Sequence, residues 1–473
     1  MNRFPFPNKA AGHTLGSALR RVGYSEDGVL RLLGEDAYTA GREDVPVLDR
    51  MLPATPLGTV IRAFFLELPV STEDAVNALG RPAIDALATT GLATVSEEEV
   101  VPNARITPVD DLVLASDGLS SNPEEDPEDY VSTYSPTSRL CDLLTPRPRI
   151  ERALDVGTGN GVHALLASRH SRRVIATDVN ERALAFTELN ATLNDIENVE
   201  CRPGSLFEPV AGETFDLITC NAPFVVSPER RWVYRDGTFE GDELSAHVVR
   251  GAAEHLAEGG FATLLVSWIG TDEDEPDEHP LEWVDPVDAD AWILGFSDTT
   301  PLEHAARWNA HHTDDPKVFG EALDNWTAYL MELGAHTVSE GAILLHSRAG
   351  GGEYTVRADS VDEDELEVAD VQIQRAFAAR ARLDEVDLLN ARLVPADEMV
   401  VEEESVLLEG GTFPVVEASS LATDVIVELD GTATLAEMID YVVEKQGVPR
   451  DKLEREVLEL VRELLELGIM RLA

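Results

Sequence analysis

Between Ile150 and about Gly350 the sequence alternates short, β-rich apolar runs with amphipathic segments, and that alternation constrains the fold more than any other feature of the chain. The runs are "RALDVG", "RVIATD", "VECRPG", "FDLITCN" and "FATLLVSW", with helical stretches such as "GVHALLASRH" and "NERALAFTELNATLND" between them. Parallel strands can be joined only through crossovers, so the pattern predicts an α/β unit whose parallel sheet is covered by helices on both faces. "DAWILGFSD" and "GAILLHSRAG" supply the last strands, separated by a long helical insertion around "DPKVFGEALDNWTAYLMELGA".

The flanks read differently. Residues 1–116 form a mainly helical region in which "TPLGTVIRAFFLELPVSTEDAVNALGRPAIDALATTGLATV" predicts three short helices and "VVPNARITPVDDLVLASD" a following hairpin. That order points to a winged-helix-like substrate or accessory domain, with a helical cap on the central unit as the alternative; few basic residues are there to grip phosphate, which favours protein over DNA contact. Residues 117–130, "DGLSSNPEEDPEDY", are rich in Pro, Ser and carboxylates without an apolar period and read as an acidic linker. The central unit then covers 131–351. Residues 352–473 are expected to be an α+β accessory domain, closing in a helical segment that fits either a winged-helix-like fold or an oligomer contact.

A chain of 473 residues with 44% hydrophobic side chains can fill more than one core. Its formal charge of −52 repels nucleic-acid phosphates, lowers the odds of a broad RNA or DNA footprint, and is screened in concentrated salt. No apolar stretch approaches the roughly 20 residues of a membrane span, and "MNRFPFPNKAAG" lacks a signal-peptide core, so a cytoplasmic protein without membrane contact is expected. Cys141, Cys201 and Cys220 are too few and irregular for a disulfide framework or zinc motif. His304, His311 and His312 lack companion ligands, so no metal is expected.

"ALDVGTGNGVHALL" places Asp155 near the end of a strand, then Thr158 among Gly157, Gly159 and Gly161 in a turn, then a helix. Glycines there allow positive φ and close approach of a ligand, and a helix start offers N–H groups. A dinucleotide fingerprint counted from Gly157 fails at Val162; counted from Gly159 it reaches Ala164, but two residues late, which leaves a nicotinamide cofactor as a weaker alternative. Asp178, followed by Val179, ends the second strand, where a carboxylate can accept both ribose hydroxyls or cap the next helix. The form D-x-G-x-G-x-G resembles the first motif of class I S-adenosylmethionine-dependent methyltransferases. That resemblance implies a Rossmann-like seven-stranded core, S-adenosyl-L-methionine as cofactor, and Ser205 and Leu206 beside the adenine, in place of the acidic residue often found there.

The fourth strand ends in "NAPF", Asn221, Ala222, Pro223 and Phe224, which resembles the Asn-Pro-Pro-Tyr/Phe motif of N-methyltransferases acting on nitrogens conjugated to a planar π system. Release-factor glutamine methyltransferases (the HemK family) and guanine-N2 methyltransferases of ribosomal RNA both carry it. The resemblance implies that the Asn221 side-chain oxygen and the Ala222 carbonyl accept the substrate N–H groups, that Phe224 stacks on the planar group, and that Asn221 also borders the cofactor. Ala222 stands where proline is usual, which removes about 0.4–1 kcal/mol of φ restriction. Downstream, "VVSPERRWVYRDGTFEGDELSAHVVRGAAEHLAEGGFATLLV" is more similar to the glutamine enzymes, with Arg230, Arg231 and Trp232 as candidates for gripping substrate backbone or as solvated loop residues. The expected function is N-methylation of a planar nitrogen, a glutamine amide of a translation-related protein. The alternatives are methylation of an exocyclic amine in ribosomal RNA, and a non-catalytic cofactor-binding protein.

Overall fold

The computed structural model describes residues 5–120, 126–221, 223–229, 239–271, 277–348, 354–361, 366–402, 404–411 and 415–473. At its centre lies a mixed sheet whose strands, in chain order, are β1 Ile150–Val156, β2 Ser171–Asp178, β3 Val199–Pro203, β4 Phe215–Cys220, β5 Leu256–Gly270, β6 Asp290–Thr299, β7 Thr337–His346 and β8 Val356–Ser360. Across the sheet the order is β8-β6-β7-β5-β4-β1-β2-β3. Strands β3, β2, β1, β4 and β5 run parallel, β7 lies antiparallel between β5 and β6, and β8 runs parallel to β6. This is the Rossmann-like α/β class, with one strand more than the seven expected.

The extra strand has a physical reason to escape the sequence reading. Alternate positions of Val356–Ser360 are exposed or half-buried, so it carries no apolar run. Polar groups seat it instead. The Asp290 carboxylate, at the start of β6, accepts from the Thr355 N–H (2.8 Å) and hydroxyl (2.7 Å) and pairs with the Arg348 guanidinium (2.5 Å). These bonds hold the Asp290 carboxyl far below the usual carboxylate range against the opposing effect of burial.

Strands β6 and β7 are buried on both faces, which is why they read as unbroken apolar runs. Ala291 and Ile293 face the layer containing helix Glu243–His255, whereas Trp292 and Leu294 face the layer built by helices Ala369–Arg380 and Arg450–Glu466. Residues beyond the sheet thus supply one of its covering layers. Arg380 lies over the Trp292 ring, 4.0 Å from the centroid, and burial pushes its guanidinium down to about 10.

On the other half of the sheet, helix Glu181–Leu193 joins the first region of the chain to the core. Its buried Asn190 accepts from the Ala115 N–H and donates to the Ala115 carbonyl, both at 2.8 Å, and donates again to the Asn160 carbonyl at 2.8 Å. One turn later, at its C-terminal cap, Asn194 repeats the pairing with the Val113 N–H (2.9 Å) and carbonyl (2.8 Å). Two amides spaced one turn apart therefore act as a short strand beside Leu112–Ser116. Arg182 forms a buried fork on Asp117. Helix Lys9–Val22 packs against the same helix through Gly12 and Gly16, where a Cβ would lie 2.3 Å from Thr192 Oγ1 and 1.9 Å from the Leu193 carbonyl oxygen. The hairpin expected after the first helices is formed by Arg105–Val109 and Leu112–Ser116.

Replacing Asn190 by Leu leaves three backbone groups without their partner, each costing about 1–3 kcal/mol when buried. Asn190→Leu is therefore expected to lose at least about 2 kcal/mol of unfolding free energy in urea titrations. Gly16→Ala is expected to lower the same midpoint because backbone, not a flexible side chain, blocks the added methyl. Wild-type midpoints for both variants are the result that contradicts the docking described here.

Candidate active site

The register of the sheet brings the sequence motifs to one edge. Val156 is paired with Cys220 on one side and with Thr177 on the other, and Asp178 with Pro203. Gly157, Asp178, Gly204 and Asn221 therefore follow side by side at the carboxyl ends of β1, β2, β3 and β4, the edge where open α/β sheets bind ligands.

Beneath this edge lies Asp155, 1% exposed. Its carboxylate accepts from Thr158 Oγ1 (2.6 Å), the Ala164 N–H (3.1 Å) and Thr219 Oγ1 (2.9 Å). Burial raises its carboxyl above the ordinary range, opposed by His163 and by these hydrogen bonds. The carboxylate thus ties β1, the glycine turn, helix Val162–Ala167 and β4 together from below. The helix start is less open than the sequence implied, because Asn160 Oδ1 takes the Val162 N–H at 3.1 Å and Asp155 takes that of Ala164.

Gly157, Gly159 and Gly161 have φ of 67°, 56° and 87°. A Cβ at Gly161 would meet the Thr187 side chain at 2.8 Å, whereas one at Gly159 would meet nothing within 4 Å. Gly161 is glycine for packing, and Gly159 borders open space on the ligand side. Thr158 is buried under the turn, with its N–H on the Thr177 carbonyl at 2.9 Å.

Asp178 accepts the Gly159 N–H on one oxygen (2.9 Å) and the Asn180 N–H on the other (2.8 Å), which leaves further lone pairs on both. Burial raises its carboxyl, and those two backbone bonds oppose the rise. Val179 beside it is 55% exposed, an apolar surface at the rim. Past β3, Leu206 adopts a positive φ of 46° and its carbonyl accepts from Thr177 Oγ1 at 3.3 Å; Ser205 is half-buried, with its carbonyl on the Glu208 N–H at 2.9 Å.

At the end of β4, Asn221 is half-buried, and its side chain has no hydrogen bond among the described residues. Pro223 and Phe224 are half-buried; the Phe224 ring packs against the core layer that includes Leu140 and Leu265, and its carbonyl accepts from the Ser267 hydroxyl. Ala222, Arg230, Arg231 and Trp232 lie outside the described residues. A small groove just past Asn221 is lined by Pro223, Phe224, Glu229, Phe239, Gly241 and Asp242. Sequence reasoning passed over the groups that brace it. Ser245 donates to the Ser267 carbonyl (2.8 Å), and Asp242 accepts from the Ile269 N–H (2.9 Å) and pairs with His279 Nδ1 (2.7 Å). That pairing raises the His279 imidazole against the effect of burial. "GDELSAH" reads as an ordinary helix start, and nothing in it signals a brace.

Among the described residues no group of three or more His, Cys, Asp or Glu side chains is placed to hold a metal ion. The His311 and His312 rings lie 4.0 Å apart, and His304 is buried in the helical insertion. No helix among the described residues is long and apolar enough to cross a membrane.

Residues 21–103 match a family described as a domain of unknown function, DUF7059, and residues 136–268 match the Methyltransferase small domain family. Among curated proteins, the release factor glutamine methyltransferase of Xylella fastidiosa is 34% identical over 129 residues, 25% of this chain and 47% of that protein. The ribosomal protein uL3 glutamine methyltransferase of Bradyrhizobium diazoefficiens is 32% identical over 169 residues, 32% of this chain and 52% of that protein. The chain spans about half the length of these relatives. A solved Pyrococcus furiosus methyltransferase aligns with TM-score 0.29 and 20% identity, over 46% of this chain and 84% of that one. Residues 136–268 thus match the Methyltransferase small domain family, and the strand order and glycine turn of the sheet fit a Rossmann-like methyltransferase fold.

Proposed function

We propose that the chain is an S-adenosylmethionine-dependent N-methyltransferase acting on a planar nitrogen, the side-chain amide of a glutamine in a translation-related protein of the cytoplasm. The observation that carries this reading is Asn221: an amide at the end of β4, level with the glycine turn, half-buried and without a hydrogen-bond partner among the described residues. A half-buried amide on a ligand-binding edge that makes no hydrogen bond to the described residues keeps its donor and acceptor groups available to a substrate. The names of the relatives, glutamine methyltransferases of release factor and of ribosomal protein uL3, support the substrate class. The chain's charge of −52 favours protein over RNA.

The residues fit the cofactor. Gly159 leaves room over the turn, Asp178 keeps lone pairs for the ribose hydroxyls, and Val179 with Leu206 offers apolar surface for the adenine. Asp155 acts from below as a positioning residue. When bound, the cofactor supplies an electrophilic methyl on a sulfonium. An amide nitrogen is a weak nucleophile because its lone pair is delocalised into the carbonyl. The Asn221 oxygen would accept a substrate N–H, which aims the lone pair and stabilises the positive charge that grows on nitrogen; the second acceptor that the motif implies, at Ala222, lies outside the described residues. The substrate nitrogen held by Asn221 would be the acceptor for that methyl and would release its surplus proton to water. Phe224 supplies a face for the planar group.

Asn221→Ala is expected to abolish transfer of a tritiated methyl group from S-adenosylmethionine into the protein fraction of a cell extract, while cofactor affinity in calorimetry stays within about 3-fold. Label entering RNA instead of protein overturns the substrate assignment, and near-wild-type turnover by Asn221→Ala overturns the site. Asp178→Ala is expected to weaken the cofactor by about 1.5–3 kcal/mol, the loss expected for hydrogen bonds to a charged group.

A further inference from the structure

Between β6 and β7 the chain leaves the sheet for two helices, Pro301–Trp308 and Pro316–Glu332, which the connection between antiparallel neighbours does not require. Their buried side chains converge on the loop after Asn221. His304, 1% exposed, places Nε2 3.0 Å from the Val226 carbonyl oxygen, so this nitrogen carries the proton and donates. Trp326 Nε1 donates to Glu229 Oε1 at 3.4 Å. On the returning leg of the same loop, the Tyr329 hydroxyl accepts the Gly241 N–H at 3.0 Å. Val226 itself is fully buried in a small core with Ile269, Leu330, Ala335 and Val338.

We propose that this insertion is the positioning element of the substrate side of the site: it holds both legs of the loop that bound the groove, and His304 is the residue that fixes the leg carrying Pro223 and Phe224. The proposal rests on the methyl-transfer reading above. Geometry explains why a hold at Val226 matters. The Ser267 hydroxyl fixes the carbonyl of Phe224, and His304 fixes that of Val226 two residues on, so the backbone leaving Asn221 is secured at consecutive alternate carbonyls. With either bond missing, the Phe224 ring and the Asn221 amide lose the fixed frame that a near-attack geometry needs. The imidazole is suited to the task because it stays neutral. Burial among Trp308 and Trp326, whose ring centroids are 6.3 and 5.9 Å away, pushes it down to about 4. His304 touches neither substrate nor cofactor in this reading and is a positioning residue.

Three full-length variants test this. His304→Ala is expected to lower kcat for methyl transfer by about 10- to 100-fold while the cofactor Kd changes by less than about 3-fold. His304→Gln, which restores an N–H donor, is expected to recover most of that loss. Tyr329→Phe keeps the ring and its packing, remains folded, and is expected to raise KM for the protein substrate more than it lowers kcat. Hydrogen exchange supplies a readout independent of activity: His304→Ala is expected to speed exchange of amides in 223–229 at least 10-fold and to leave the glycine turn at 157–161 unchanged. Unchanged exchange in 223–229 overturns the proposal, as does a His304→Ala enzyme with wild-type kcat and KM. If wild-type protein binds S-adenosylmethionine but transfers nothing, the methyl-transfer reading falls, and with it the assignment of the clamp to substrate positioning. Equal exchange losses in 223–229 and 157–161 indicate a general packing defect and likewise overturn the positioning role.

Discussion

A single buried carboxylate holds the ligand edge together. Asp155 sits where a charge is costly, and it persists because a hydroxyl and an N–H meet one of its oxygens and a second hydroxyl meets the other. Those three donors come from the glycine turn, the helix after it and the fourth strand, so satisfying one charge fixes three backbones at once. The Asp178 grip on Gly159 extends the same logic to the second strand. The turn and the strand ends around it are thus tied together by the protein's own side chains, which is what preorganised binding requires.

The substrate side is built on another principle. There the chain leaves the sheet after β4 and has no ladder to hold it, so its carbonyls and N–H groups are taken by Ser267, His304 and Tyr329 from other elements. The proposed cofactor contacts come from strand ends and their turns, and the proposed substrate contacts from a loop held at intervals. Such a division suits the proposed reaction, in which one methyl donor serves diverse acceptors.

What the sequence disclosed follows from burial. Strands covered on both faces show unbroken apolar runs, so "AWIL" and "AILL" were legible, as was the glycine turn, whose residues are chosen for backbone geometry. Val356–Ser360 was not, because an edge strand seated by Asp290 and Arg348 has no apolar period to read. The braces of the groove escaped for a related reason. Ser245, Ser267, His304 and Tyr329 are ordinary residues in ordinary helices and strands, and only the crossing of elements far apart in sequence brings them to one loop. His304 drew notice as a possible metal ligand, yet its partner is a carbonyl 78 residues away. Asn190 likewise looks like any polar residue in a helix, until its amide is seen completing another segment's backbone.

That last arrangement sets an order for events on the ribosome. The backbone of Ala115 receives its partner from a residue 75 positions later in the chain. At about 5–20 residues per second, synthesis takes roughly 4–15 s to cover that gap, and further time passes before Asn190 clears the exit tunnel. Throughout that interval the strand Leu112–Ser116 has the hairpin on one edge and no amide ladder on the other. The hairpin that ends at Ser116 therefore completes its hydrogen bonding only when the helix that also holds the Asn160 carbonyl beside the glycine turn has been made.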